Sequence, residues 1–145
     1  MLSVPQYGWV DISIEDWKDR ASYLTDVPHD LLDKFNNMFE KHGSPVAVGF
    51  DAEGWEYIIV FDWYTTYIIE SKDTEKLYVF DKCFIDFAEE VYDDISSHIV
   101  EWSNWDYNVE SEEIRLNEEK VLKEKLNKLR MNIDSYKKRY KKRYK

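Results

Sequence analysis

The chain predicts an α+β protein: a four-stranded antiparallel meander packed with an N-terminal helical hairpin and a third helix, followed by a long C-terminal helix. Three observations predict it. Apolar residues recur at helical spacing up to Phe39, change to β-branched and aromatic runs between Pro45 and Phe80, and return to helical spacing from Phe84 onward. The β-like runs follow one another directly, broken only by turn-forming clusters, as in a meander. From Leu122 the apolar positions alternate by four and three, the signature of a heptad seam. Residues 1–109 read as an α+β globular domain and 110–145 as a C-terminal helix.

Each element has its own justification. Tyr7 to Ile12 is a short apolar segment, a candidate fifth strand at an edge. Ser13 with Asp16 three residues later resembles a capping box ahead of Ile14, Trp17, Ala21 and Leu24, which predicts a first helix. Asp26 is the expected N-cap of a second, with Pro28 in its first turn and an apolar stripe of Leu31, Leu32, Phe35, Met38 and Phe39; Gly43 stops it after His42. The strands then run Pro45 to Asp51, Trp55 to Asp62, Tyr64 to Glu70 and Lys76 to Phe80. Trp55, Tyr57, Ile59 and Phe61 share one face of the second strand, but Ile58 and Val60 on the other are apolar too. A sheet wetted on one side does not look like this, so both faces need cover from helices or a partner.

Asp81 is placed to cap a third helix reaching about Val100, lined by Phe84, Phe87, Ala88, Val91, Ile95 and Ile99. An aromatic connector with Trp102, Trp105 and Tyr107 leads to a last helix from about Glu110. Its seam is Leu122, Leu126, Leu129, Ile133, Tyr136 and Tyr140, under three heptads long, and a homodimer through residues 114–140 is a candidate use for it.

Composition limits the function classes. A chain of 145 residues fits one domain with a real core, and 43% hydrophobic content with six Trp and eleven Tyr is too rich for disorder. The single cysteine, Cys83, excludes an internal disulfide and a thiolate metal cluster; a lone thiol suits a reducing compartment, and the expectation is a cytoplasmic protein. The Met1 to Trp9 segment lacks a basic stretch followed by an apolar one, and no run approaches the roughly 18 apolar residues of a membrane span, which disfavours secretion and membrane insertion.

Charge is segregated. The last ten residues form a basic, aromatic run that holds seven of the 20 Lys and Arg, leaving 13 against 30 acids in the remainder. From Cys83 to Ile114 ten acids stand without one Lys or Arg: Asp86, Glu89, Glu90, Asp93, Asp94, Glu101, Asp106, Glu110, Glu112 and Glu113. Helical carboxylates three and four residues apart lie about 5–6 Å from one another, comparable to the step between phosphates on a nucleic-acid strand. The plainer reading is a solvated face, although such faces usually mix signs. In the terminal run, Tyr136 and Tyr140 with Lys137, Lys138, Arg139, Lys141, Lys142 and Arg143 fit a grip on an anionic partner, a contact with the acidic body or a second subunit, or a solvated helix end.

Catalytic patterns are thin. Asp62 with Glu70-Ser71-Lys72 has the order of residues in PD-(D/E)xK metal-dependent nucleases, but a hairpin turning near Trp63 would put Asp62 about 20 Å from Glu70. Asp51 and Glu53 would lie at the Glu70 end as a looser carboxylate group. His29, His42 and His98 have no metal-ligand spacing, Cys83 has no catalytic neighbour in sequence, and no glycine-rich phosphate loop is present. No cofactor is expected.

These observations favour a non-enzymatic acidic binding protein that neutralises a basic, nucleic-acid-handling protein, a nuclease or similar effector, by occupying its positive surface. Immunity proteins and phage-encoded anti-defence inhibitors work by this nucleic-acid mimicry. Expected contact residues are Asp86, Glu89, Glu90, Asp93, Asp94, Glu101 and Asp106, with Trp102 and Trp105 as aromatic anchors. The alternative is a dimeric nucleic-acid-associated accessory protein using the basic run.

Overall fold

A computed structural model describes residues 1–41, 43–106 and 111–143, with the side chains of Lys142 and Arg143 left out. Among the described residues the fold is α+β, with two antiparallel sheets, three helices grouped around them and a long C-terminal helix. The larger sheet is the expected meander: β3 (Val46–Asp51), β4 (Glu56–Phe61), β5 (Thr66–Ser71) and β6 (Glu75–Phe80), paired in chain order.

The N-terminal helical hairpin is a correction. β1 (Trp9–Ile14) and β2 (Trp17–Ser22) form a two-stranded sheet of their own, so the candidate fifth strand extends past Ile12 and pairs with β2 instead of joining the meander. Val10, Ile12 and Ile14 point inward at strict period two, and Glu15 takes the left-handed conformation (φ 53°) that a tight two-residue connection requires. Ser13 thus lies in β1 and Asp16 in the turn to β2, not at a helix start. The buried positions of β2 are Trp17, Asp19, Ala21 and Ser22, and a carboxylate among them does not read as apolar, which hides the period of two.

α1 (Val27–Glu40) starts after Asp26 with Pro28 in its first turn, as expected. It ends before Gly43, whose N–H reaches back 3.0 Å to the Met38 carbonyl. Gly43 is required twice over: φ is +85°, and a Cβ there would fall 1.8 Å from the Trp63 indole nitrogen. α2 (Phe84–Ser96) is capped by Cys83, not Asp81, and stops short of Val100. After Ser97 and His98 the chain restarts as α3 (Ile99–Ser103). Two consecutive serines favour neither continuation nor a straight helix, and the break turns the Trp102 indole back to donate to the Asp94 carbonyl at 3.3 Å.

The core lies between the inner face of the meander and α1 and α2, where Phe35, Phe61, Phe84 and Phe87 meet edge-on at 4.8–5.2 Å. One buried group there is unsatisfied: Thr66 Oγ1 meets no partner among the described residues. Thr66→Val is therefore expected to be neutral or to stabilise by up to about 1 kcal/mol in denaturant unfolding, whereas a loss above that size would reveal a bond to the hydroxyl.

α4 (Glu112–Arg143) packs along α1, α2 and α3. Leu122, Leu126, Leu129 and Ile133 are buried within the chain's own core. Polar contacts fix the register: Asn36 Nδ2 donates to the Lys125 carbonyl at 3.2 Å, Asn132 Nδ2 to Asn36 Oδ1 at 3.0 Å, and Lys128 pairs with Glu40 at 2.6 Å. The seam from Leu122 to Ile133 is thereby filled by the chain's own core.

Candidate functional site

The acidic helix is only partly free. Asp86 and Asp93 on α2 and Glu101 on α3 are exposed, and so is Asp106. Glu89, Glu90 and Asp94 are half-buried and paired to the rest of the fold. The amino group of Met1 sits 3.1 Å from both Glu90 and Asp94, and the Leu2 N–H donates to Asp94 at 2.7 Å. Lys82 pairs with Glu90, and Lys137 with Glu89. A continuous row of free carboxylates is therefore not present on α2: these three hold the N-terminal segment, the β6–α2 connection and α4 in place.

Burial alone would raise the Glu90 carboxyl, but hydrogen bonds from Lys82 and the amino terminus, together with their charges, hold it below the ordinary value of 4.5. A depressed carboxyl contributes stability that is present above the unfolded value and lost as pH falls through the lower folded one. Melting temperature should accordingly drop as pH is taken below about 4.5, and Glu90→Gln should flatten that part of the profile. An unaltered acid limb in the variant would show that the pairing contributes nothing.

The aromatic anchors are also a correction. Trp102 is fully buried and Trp105 6% exposed, their rings 5.4 Å apart, and Trp105 Nε1 donates to the Thr25 carbonyl at 2.8 Å. Both rings are core. Tyr107 and Glu110 of the same connector lie outside the described residues.

The basic run divides in two. Tyr136 is half-buried, stacked on Trp63 at 5.0 Å, and Tyr140 stacks on Tyr136 at 6.0 Å. Lys137 folds back to Glu89, while Lys138, Arg139 and Lys141 are exposed. The side chains of Lys142 and Arg143, and all of Tyr144 and Lys145, lie outside the described residues.

The nuclease-like residues do not converge. Asp62 sits at the β4–β5 turn, where its Oδ1 accepts the Trp63 N–H at 2.7 Å. Glu70 lies opposite Tyr57 toward the other end of the strands, buried, accepting the Trp17 indole N–H at 3.3 Å. Lys72 bridges Asp19 at 3.2 Å and Glu70 at 3.8 Å, with its ammonium 4.8 Å from the Trp55 ring centre. The Trp55 indole N–H donates to Asp19 at 3.0 Å. Every partner in this group belongs to the join between β2 and the meander. Burial, with the nearby carboxylates of Asp19, Glu70 and Asp11, pushes the Tyr57 phenol far above its ordinary range, and its hydroxyl donates to the Arg20 carbonyl at 3.0 Å.

No group of three or more His, Cys, Asp or Glu among the described residues is placed to hold a metal. Asp51 accepts the Glu53 N–H at 2.7 Å as a loop bracket. His29 joins α1 to α4 between Glu118 and Lys125, His98 faces Glu101 at 3.8 Å, and His42 lies outside the described residues. Cys83 is a half-buried helix cap. No helix among the described residues is long and apolar enough to cross a membrane.

What remains open is the outer face of the meander. Cross-strand register sets Ala47, Val60, Tyr67 and Val79 in one row and Gly49, Ile58, Ile69 and Leu77 in the next. Ile58, Ile69, Leu77 and Val79 are 40–64% exposed. A third row, Asp51, Glu56, Ser71 and Glu75, borders the apolar rows with carboxylates, and Glu53 and Asp73 extend it into the loops. No Lys or Arg occupies an outward position of β3 to β6: Lys72, in the β5–β6 loop, reaches Asp19 and Glu70 while 42% of its side chain stays exposed, and Lys76, exposed on β6, lies opposite the inward-facing Glu70. Exposed apolar side chains rimmed by polar groups are a common feature of interaction surfaces, which makes this face the candidate site.

This surface was half-legible in the sequence. The double-sided apolar pattern of β4 signals that both faces need cover, but the pattern alone does not say which face the helices leave open. Compared with protein-family models, curated proteins and solved structures, the chain matches none of them.

Proposed function

We propose that this chain is a non-enzymatic binding protein that neutralises a basic, nucleic-acid-handling protein by covering its positive surface, and that contact is made through the outer face of the meander. The observation that carries the reading is the composition of that face: two apolar rows bordered by Asp51, Glu56 and Glu75, without a base. Apolar side chains at its centre supply the desolvated contacts that slow release, and a carboxylate rim on a chain of net charge −10 draws a cationic partner in. Glu89, Glu90 and Asp94 are paired within the fold, which leaves the sheet face, not α2, as the better contact surface.

The test is affinity capture from a host lysate with wild type and Leu77→Asp in parallel. Leu77 is 64% exposed, so the substitution leaves the core alone. The reading expects a basic protein retained by wild type, eluted by salt, and lost from the variant. Equal retention by both chains would refute it.

A further inference from the structure

Resting on the reading above, we infer that the notch over Gly49 on the outer sheet face is a socket for one Lys or Arg side chain of the basic partner. β3 places Gly49 between Val48 and Phe50, opposite Ile58, which in turn lies opposite Ile69. With no side chain on Gly49, a depression of about 280 Å³ opens beside Ile58 and Ile69, with Asp51, Glu56 and Ser71 at its end. A second hollow continues from it past Asp51 and Glu56 to Gly54 and Trp55. The volume stands at the foot of the range for small-molecule sites, which suits a single long side chain.

Gly49 is not needed by the backbone. It lies in regular β3 outside the left-handed region, and a Cβ built on it meets nothing within 4 Å. Glycine in a strand interior weakens the strand and often marks a bulge, a tight bend or the close approach of another group; the uninterrupted β3–β4 register around Gly49 shows no bulge. The walls and the mouth of the notch define that group. Ile58 and Ile69 suit an aliphatic stem, and Asp51 and Glu56, neighbours across the β3–β4 ladder, suit a cationic head. A lysine or arginine satisfies both; an acidic or short polar side chain satisfies neither.

The experiment is amide-shift mapping by NMR of the full chain, titrated with a soluble Leu/Arg peptide and with its Leu/Glu counterpart. Wild type should show shifts at Gly49, Ile58 and Ile69 with the arginine peptide and none with the glutamate one. Gly49→Val, which fills the notch and should keep or raise the melting temperature, should weaken binding about tenfold or more. Glu56→Gln should weaken it several-fold and reduce its salt dependence. Outer-face shifts that persist unchanged in Gly49→Val would overturn the socket while leaving the sheet-face reading intact. Equal response to both peptides, or none on the outer face with either, would overturn the two together.

Discussion

Trp102→Ala is expected to lower the unfolding free energy by about 3–5 kcal/mol, the range for deleting a fully buried large aromatic side chain. The ring has no exposed surface, packs against Trp105, and supplies the donor that satisfies the Asp94 carbonyl where α2 ends. Truncation removes all three and leaves the Asp94 carbonyl without that donor. Urea unfolding measures the loss directly. A cost below about 1 kcal/mol would return Trp102 to the role of surface anchor, since exposed positions seldom exceed that. Trp102→Phe keeps most of the volume but not the donor, and should fall between the two.

Asp19→Ala should cost about 3 kcal/mol, the low end for breaking a buried ion pair, because Lys72 retains 42% exposure and Glu70 as a second partner. The carboxylate also accepts the Trp55 indole N–H, and it sits where β2 meets the meander, so its loss loosens the joint between the two sheets. Asp19→Asn retains an acceptor and should cost less. Adding Lys72→Met to Asp19→Ala should recover part of the loss, because the cation left under-paired is removed. Strictly additive costs in that double-mutant cycle would mean that the two side chains are not coupled.

Where sequence and structure agree, the pattern was physically unambiguous. The strand runs between Val46 and Phe80 are dense in Ile, Val, Tyr and Phe and punctuated by turn clusters, and they became β3 to β6 with little change in bounds. α1 carried a proline in its first turn and a stripe that only one helical face can present. Where they part, one residue type served two purposes. Asp19 is buried because Trp55 and Lys72 receive it, a fact stored in residues far along the chain, and without them β2 looks helical. The carboxylates of α2 look alike in sequence, yet Met1, Lys82 and Lys137 select Glu89, Glu90 and Asp94 from among them. The heptad seam was visible, but a seam does not say which helices fill it; α1, α2 and α3 do. Gly49 gave no local signal, since its meaning depends on Ile58 and Ile69 across the ladder.

The most direct test of the proposed sheet-face contact is cross-saturation NMR on a complex with any basic protein isolated by the affinity capture proposed above, reading the methyl groups of the apolar rows and the backbone amides of the helices. The account predicts strong attenuation at the methyls of Ile58, Ile69, Leu77 and Val79 and little at the amides of Asp86 and Asp93. Undisturbed sheet methyls beside attenuated amides on α2, or at Lys138 to Lys141 on α4, would contradict it.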